Sequence, residues 1–256
     1  MIKYIIPLLI ILIILIFYLY SQIRFVKIRR LEFRSPKIRK EKKILHLTDI
    51  HANPILDYKK VKESILKEQP DIICITGDII KSDNEEFKIL DPFFSFLRDS
   101  RIPVYYIFGN HDIRNRNRMN IYRHLEPYHF RILKDDTEIL HSNFMIIGYD
   151  HRNRLAALYE ESEKFILSLI HDPILFVRSR EKSDLVLSGH THGGQVRFPI
   201  LGALYAPNQK IPPKYNKGLY TTEKGSIYVD SGLGYSLLPL RFLNPAQMTY
   251  IYLKNE

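Results

Sequence analysis

In most of this chain, short apolar runs alternate with amphipathic segments, and this order constrains the fold more than any other feature. Runs at 44–48, 72–76 and 104–108 have the length of buried strands. The segments 58–68 and 87–97 between them carry apolar residues at helical spacing. A strand–helix–strand order of this kind predicts parallel strands joined by right-handed crossovers, so we expect an α/β fold.

The second half of the chain contains shorter apolar runs that we interpret as further strands, some of them antiparallel. They lie at 137–140, 144–147, 165–170, 185–188, 227–229 and 249–253. With 45% hydrophobic and 26% charged residues, the composition is that of a globular protein. We therefore predict one folded domain over residues 43–256, in which the single cysteine, Cys74, is buried.

The N-terminal segment is predicted to span a membrane. Residues 4–20 carry no charge, and the apolar stretch extended through Ile23 reaches the roughly 20 residues that a bilayer core requires. Tyr18 and Tyr20 stand where interfacial aromatic residues belong. A cleavable signal peptide is the alternative, but the residues that follow offer no small-residue cleavage site. We expect an uncleaved transmembrane anchor over residues 1–23.

The positive charge of the chain is concentrated directly after this anchor. The net charge is +10, and residues 24–43 hold ten Lys or Arg against Glu32 and Glu41. We interpret residues 24–42 as a basic juxtamembrane linker that faces an anionic membrane surface, and we expect no nucleic-acid partner. Because few positive charges precede the helix, the positive-inside bias predicts a single-pass inner-membrane protein whose folded domain is cytoplasmic.

Polar residues of the types that bind metals follow five of the apolar runs. These clusters are Asp49-Ile50-His51, Gly77-Asp78, Gly109-Asn110-His111-Asp112, His171-Asp172 and Gly189-His190-Thr191-His192. A lone Asp-x-His or Gly-Asp is usually a turn or a cap. Five such clusters at the carboxyl ends of strands, where open α/β sheets bind ligands, instead predict a metal site. The donors are nitrogen and oxygen without thiolate, which suits Mn²⁺, Fe or Zn²⁺.

Together, the five clusters resemble the signature of the calcineurin-like metallophosphoesterases, and the resemblance covers residues 43–254. Three later stretches, at 193–207, 218–220 and 232–245, resemble a membrane-associated bacterial branch of YkuE- and YaeI-like phosphoesterases. That branch includes the alternative UDP-2,3-diacylglucosamine pyrophosphatase of lipid A synthesis. The chain departs from the branch at Asp230-Ser231, where Ser-Arg is usual, and we expect this change to alter the charge that a substrate meets.

The resemblance implies an αββα sandwich of mixed sheets, preceded here by the transmembrane helix, and a centre of two divalent metal ions, Mn²⁺ before Fe or Zn²⁺. It implies that His111 protonates or stabilises the leaving oxygen and that Asp112 orients the His111 ring. The implied ligands are Asp49, His51 and His192 for one metal, Asn110, His171 and His190 for the other, and Asp78 as the bridge.

The function implied by these features is a membrane-anchored, dimetal-dependent phosphoester hydrolase. We expect a lipid-linked pyrophosphate or phosphodiester substrate, such as UDP-2,3-diacylglucosamine. One alternative is a broad phosphodiesterase or phosphatase acting on soluble nucleotides or phosphoproteins. An alternative of another class is a catalytically inert membrane scaffold. The sequence leaves the oligomeric state open.

Overall fold

Two six-stranded sheets face each other, and helices cover their outer faces, so the predicted αββα sandwich of mixed sheets is confirmed. The computed structural model describes residues 2–82, 87–115, 118–141, 143–149, 163–236 and 238–256.

The helices and strands are numbered in chain order. The α-helices are α1 Ile2–Arg24, α2 Tyr58–Glu68, α3 Asp91–Asp99, α4 Asn110–Arg114, α5 Arg118–Leu125 and α6 Pro173–Arg178. The strands are β1 Lys27–Arg34, β2 Lys42–Leu47, β3 Ile72–Ile75, β4 Val104–Tyr106, β5 Arg131–Ile132, β6 Asp136–His141, β7 Phe144–Gly148, β8 Phe165–Leu169, β9 Leu185–Ser188, β10 Arg197–Phe198, β11 Gly202–Ala203, β12 Gly218–Thr222, β13 Gly225–Val229 and β14 Gln247–Lys254.

The strand order explains how the two halves of the chain fold. The first sheet has the order β1-β14-β2-β3-β4-β5, and β2, β3 and β4 are parallel neighbours, as the strand–helix–strand order predicts. The second sheet has the order β12-β13-β9-β8-β7-β6, with parallel strands in the middle and antiparallel pairs β12–β13 and β6–β7 at its edges. The expected mixture of parallel and antiparallel strands is confirmed.

Three apolar layers hold the sandwich together, and successive residues of one strand enter different layers. Ile44 lies between the two sheets, whereas Leu45 packs under α2 and α3 on the outer face. In the second sheet, Leu187 lies between the sheets and Val186 packs with Phe176 of α6. This period of two is what the pleat of a strand dictates. Cys74 is fully buried in the layer between the sheets, as predicted.

Some element boundaries differ from the prediction. The helix expected at 87–97 is divided into a 3₁₀ turn, Phe87–Ile89, and α3. Pro92 stands in the first turn of α3, where the missing N–H costs no helical hydrogen bond, and it therefore marks a helix start. The first and third predicted strands end at Leu47 and Tyr106, slightly earlier than expected.

Strand β1 was not predicted and lies inside the segment interpreted as a linker. It pairs with β14 in parallel along its whole length, from Lys27 beside Gln247 to Arg34 beside Lys254. Leu31 and Phe33 pack against the layer between the sheets. Basic residues precede Leu31 and follow Phe33, and because their charge hides the apolar alternation, the sequence pattern favours a linker.

Helix α1 joins this domain directly. Among the described residues it is the single helix long and apolar enough to cross a membrane, and a signal sequence near an N-terminus has the same length and composition. Its last turn packs on the domain, because Ile23 is buried and the backbone oxygen of Arg24 accepts a hydrogen bond from the Asp57 N–H at 3.0 Å.

Candidate metal centre

All five polar clusters lie beyond the carboxyl ends of strands, at one edge of the sandwich. The first three follow β2, β3 and β4 of the first sheet, and the other two follow β8 and β9 of the second. Because these strands are central and adjacent in their sheets, five loops that are distant in sequence converge on one point. The residues that the sequence predicted as ligands are buried there, namely Asp49, His51, Asp78, Asn110, His171, His190 and His192.

The loops that carry these residues have an unusual backbone. Asp49, His51, Asp78, His190 and His192 all have positive φ values, between 48° and 68°. Side chains other than glycine seldom adopt this left-handed region, and such strain of roughly 1–3 kcal/mol per residue clusters at functional sites. Neighbouring loops hold the conformation, since their backbone groups are hydrogen-bonded to one another at this edge.

Glycine allows these loops to touch. A Cβ atom on Gly77, which has φ +90°, would lie 2.3 Å from the backbone nitrogen of Gly109. One on Gly189 would lie 2.0 Å from the Thr48 hydroxyl and 2.3 Å from a carboxylate oxygen of Asp49. The glycines beside the predicted ligands therefore bring Asp49 and Asp78 within reach of the histidines.

The first cluster contains Asp49, His51 and His192. The His51 and His192 Nε2 atoms are 3.2 Å apart, and Asp49 Oδ1 lies 3.5 Å from His192 Nε2 and 4.0 Å from His51 Nε2. All three ligand atoms fall within 4.8 Å of one another. Two imidazole nitrogens and a carboxylate that converge in this way form a donor set suited to a divalent metal ion.

The second cluster contains Asp78, His171, His190 and Asn110. His171 Nε2 lies 3.2 Å from each of three atoms, Asp78 Oδ2, Asn110 Oδ1 and His190 Nδ1. The other ring nitrogen of His171 lies 2.7 Å from the Thr76 carbonyl oxygen. A hydrogen bond from Nδ1–H to this carbonyl leaves the Nε2 lone pair directed into the cluster, which is the usual arrangement of a metal-binding histidine.

Asp78 stands between the two clusters. Its Oδ2 is 3.2 Å from His171 Nε2 in one cluster and 3.9 Å from His51 Nε2 in the other. Its Oδ1 accepts a hydrogen bond of 2.8 Å from the His111 backbone N–H, which holds the carboxylate in place. The Asp78 carboxylate therefore lies between the two clusters, in a position that suits a carboxylate shared by two metal ions.

Burial and mutual charge set the protonation of these groups. Burial lowers the pKa of His51 to about 3 and holds that of His192 well below its ordinary value, so both rings are neutral at pH 7. Burial also opposes a charge on His171, but the Asp78 carboxylate raises the His171 pKa to about 10. The centre thus holds a buried ion pair, and a metal bound by His171 would displace its proton.

His111 and Asp112 occupy different surroundings. His111 is the second residue of α4 and is half-buried, and its ring lies edge-on to the His51 ring with the ring centroids 4.9 Å apart. Asp112 is fully buried, and its carboxylate accepts hydrogen bonds from four backbone N–H groups and the Tyr106 hydroxyl. The N–H donors belong to Asp78, Ile79, Ile80 and Gly109, at 2.6–3.3 Å.

These contacts give Asp112 a structural role. Its carboxylate accepts the N–H groups of the loop that carries Asp78 and so fixes that loop, and its expected role in orienting the His111 ring stays a prediction. Residue 112 occupies the third position of α4, so its carboxylate turns back to the Gly109 N–H at the helix N-terminus, and the folded 78–80 loop brings the other three N–H groups to it.

A cavity of about 430 Å³ lies over the two clusters. Asp78, Asn110, His111, His190 and His192 line its floor, and Arg114, Tyr205, Pro207, Asn208 and Leu238 are among the residues of its walls. Sequence reasoning missed Asn208, whose side-chain nitrogen lies 3.2 Å from His190 Nε2 and 2.7 Å from an Asp172 oxygen. The sequence did contain an indication of this role, because Asn208 directly follows the 193–207 stretch that resembles the bacterial branch.

We expected Asp230 and Ser231 to alter the charge that a substrate meets, but neither residue lines this cavity. Both are buried below it, and Asp230 accepts hydrogen bonds from the Thr249 hydroxyl, the Gln247 amide and the Gly232 N–H. A carboxylate held in this internal network does not contact a substrate in the cavity. The departure at these two positions is therefore a feature of the core and not of the cavity surface.

A two-sheet α/β sandwich with a buried histidine and aspartate centre at the carboxyl edge of its strands defines a metal-dependent hydrolase. The sequence profile of the calcineurin-like phosphoesterases matches residues 42–194. The chain belongs to this family, and it is a metallophosphoesterase whose clusters are consistent with two metal ions. This leaves the inert scaffold without support.

Several curated proteins are similar to this chain. The uncharacterized metallophosphoesterase YkuE of Bacillus subtilis (strain 168) is 31% identical over 234 residues, which cover 83% of this chain and 79% of YkuE. The phosphodiesterase YaeI of Escherichia coli (strain K12) is 29% identical, with coverage of 82% on both sides. A bovine protein named as a transmembrane protein with a metallophosphoesterase domain is 26% identical over 86% of this chain and 55% of its own length.

Proposed function

We propose that the chain binds two divalent ions and hydrolyses phosphoester or pyrophosphate bonds. One ion is held by Asp49, His51 and His192, the other by Asn110, His171 and His190, and Asp78 belongs to both. The observation that carries this proposal is that one oxygen of Asp78 lies 3.2 Å from His171 Nε2 in one buried donor set and 3.9 Å from His51 Nε2 in the other. Carboxylate and amide oxygens favour Mn²⁺, and the imidazoles also suit Fe and Zn²⁺.

The residues around the ions have separate tasks in this proposal. When bound, the metal pair supplies an activated water and a counter-charge for the phosphate oxygens. His111 borders the cavity without belonging to either proposed ligand set, and it donates a proton to the leaving oxygen. Arg114 lines the same cavity and offers its guanidinium to phosphate oxygens. Asp112 keeps Asp78 in position through the backbone N–H groups of its loop.

We further propose that α1 remains attached as an anchor and that the domain is cytoplasmic. Cleavage within the helix end would remove residues that belong to the domain. The Gln22 carbonyl oxygen accepts a hydrogen bond from the Ala246 N–H at 2.8 Å, and Ile23 is buried. The bovine relative is named as a transmembrane protein, which supports the proposal. The basic residues after α1 support the cytoplasmic side.

An anchored site gains most from a substrate that is itself in the membrane, because both partners then diffuse in the same plane. We therefore propose a lipid-linked pyrophosphate or phosphodiester, such as UDP-2,3-diacylglucosamine, as the substrate. A soluble nucleotide is the competing substrate. It fits the same chemistry but draws no benefit from the anchor.

A substrate panel separates these possibilities. The full-length chain in detergent micelles with Mn²⁺, Fe²⁺ or Zn²⁺ is assayed for UMP release from UDP-2,3-diacylglucosamine and for hydrolysis of soluble diesters and nucleotides. We expect metal-dependent turnover with the lipid as the preferred substrate. A kcat/KM that is at least tenfold higher for a soluble nucleotide would contradict the lipid proposal, and no metal-dependent turnover at all would contradict the hydrolase.

A further inference from the structure

Exposed apolar side chains gather beside the cavity. We call this surface the apolar rim and define it as Phe198, Ile200, Leu201, Leu204, Tyr205, Leu238 and Leu243. Ile200 and Leu201, at the tip of the β10–β11 hairpin, are 106% and 69% exposed. A soluble surface seldom presents so many large apolar groups together, and such patches mark binding surfaces.

The two segments of the rim are joined. The Arg197 N–H donates to the Phe242 carbonyl oxygen at 3.0 Å, and the Phe242 N–H donates to the Gln195 carbonyl oxygen at 3.1 Å. The rings of Phe198 and Phe242 lie 6.4 Å apart. The hairpin and the segment around Phe242 therefore form one surface whose position is set by the domain.

Contacts with α1 give the depth of this surface in a membrane. The Leu243 N–H donates to the Tyr18 hydroxyl at 3.2 Å, and the rings of Tyr18 and Phe242 are 5.7 Å apart. Tyr18 precedes the end of α1 at Arg24 by six residues, which is roughly 9 Å along the helix. Tyrosines near the end of a spanning helix lie at the headgroup level. The rim therefore lies at the level where α1 leaves the membrane.

The rim also borders the metal centre. Tyr205 and Leu238 are rim residues that line the cavity over the two clusters. They are each 63% exposed, so their apolar surface continues from the cavity wall to the outside of the molecule.

We propose that the apolar rim is a second membrane contact, inserted into the interfacial region of the bilayer beside α1, so that the cavity opens at the membrane surface. The occupant of the rim is the lipid bilayer. Continuity with α1, exposure of the hairpin tip and contact with an interfacial tyrosine all support this partner. The inference rests on the proposed anchor and explains how a lipid headgroup reaches the metal centre without leaving the membrane.

A fluorescent label tests the contact directly. Ile200→Cys in the full-length chain is labelled with a nitrobenzoxadiazole group and placed in phosphatidylethanolamine–phosphatidylglycerol vesicles that carry a shallow nitroxide lipid. The matched control is Leu66→Cys, at a position that is 58% exposed on α2. Leu66 lies two residues before Glu68, which pairs with Arg30 of β1 and so stands beside the first sheet and not beside the hairpin. The native Cys74 is buried and should not react.

We expect quenching of the label at position 200 to exceed that at position 66 at least threefold. Equal quenching at the two positions would overturn the proposal. A second copy of the chain would replace the bilayer as the occupant on two observations. The label would be shielded from water equally in vesicles and in detergent, and two unlabelled chains of the Ile200→Cys variant would form a disulfide cross-link.

Kinetics separate this inference from the proposed substrate. The double variant Ile200→Asp/Leu201→Asp should lose at least tenfold in kcat/KM for UDP-2,3-diacylglucosamine in vesicles and keep its rate on bis(p-nitrophenyl) phosphate. Leu66→Asp should change neither. Strong quenching of the labelled Ile200→Cys variant, together with a wild-type chain that cleaves no lipid, would support the contact and contradict only the lipid substrate. If the wild-type chain cleaves the lipid and the double variant keeps the wild-type ratio of lipid to diester activity, the proposed role of the rim is wrong.

Discussion

At the scale of single residues, Asp78 matters most because both donor clusters depend on it. One of its oxygens faces His171 and His51, and the other is held by the His111 backbone N–H. The loop beneath it is fixed in turn by the fully buried carboxylate of Asp112. A carboxylate in this position would contact both proposed ions and offset their mutual repulsion.

Asp78→Asn should therefore lose metal and nearly all turnover. The amide keeps the size of the carboxylate but lacks the negative charge that two cations require. Elemental analysis and turnover of a soluble diester measure the effect, with the exposed Asp99→Asn as the matched control. Two metals per chain together with a wild-type rate would show that the centre does not depend on this carboxylate.

His111→Ala should affect the rate of hydrolysis without affecting metal binding. The ring borders the cavity next to His51 but belongs to neither proposed ligand set, so the variant should retain both metals and lose about 10²–10⁴ in rate, the usual scale for a positioned acid. The loss should be smallest for nitrophenyl esters, whose leaving groups need little protonation. Rates on esters of graded leaving-group pKa check this, and a uniform loss would exclude the role of acid.

At the scale of elements, β1 changes how the N-terminal region is understood. Its charges are partly used within the domain, because Arg30 pairs with Glu68 and Arg34 pairs with Glu32. The strand also carries Leu31 and Phe33 onto the layer between the sheets. The segment is thus part of the sheet, and only its first residues stand close to the end of α1.

Two truncations test this view. A chain that starts at residue 21 keeps β1 and should unfold cooperatively in urea, with activity on soluble diesters intact. A chain that starts at residue 43 loses β1 and the buried Ile38, and its free energy of unfolding should fall by more than about 3 kcal/mol, since each buried aliphatic or aromatic side chain contributes about 1.5–3 kcal/mol. Equal urea midpoints would mean that β1 contributes nothing to the domain.

At the scale of the whole molecule, the metal centre ties the two sheets together. Asp49, Asp78 and Asn110 follow strands of the first sheet, whereas His171 and His190 follow strands of the second. An ion bound by either proposed ligand set would therefore link the two sheets. It would also neutralise carboxylates that are buried at their common edge.

Chelation should consequently destabilise the whole domain and not the loops alone. An ion at 100 times its Kd adds about 2.7 kcal/mol per site to the free energy of unfolding. The melting temperature of the full-length chain should fall with EDTA and recover with Mn²⁺, and Asp78→Asn should respond less. Calorimetry in one detergent measures this. An unchanged melting temperature would mean that the clusters hold no ion under those conditions.

Local patterns in the sequence were enough to predict the elements that carry the site. The apolar runs before Asp49, Asp78 and Asn110 form the strands β2, β3 and β4, because strand length and flanking polar residues are properties of neighbours in the chain. The helix expected at 58–68 has those bounds in the structure. The candidate ligands were found for the same reason, since each follows its own strand.

Tertiary structure decided what depends on residues far apart in sequence. The parallel pairing of β1 with β14 joins positions 220 residues apart, and no local pattern specifies it. The hydrogen bonds of Asp112 and Asp230 depend on which backbone groups the folded loops bring to those carboxylates. The apolar rim likewise exists only because the β10–β11 hairpin folds beside Phe242, which itself packs against Tyr18 of α1. Packing between distant segments, and not the residues themselves, sets these features.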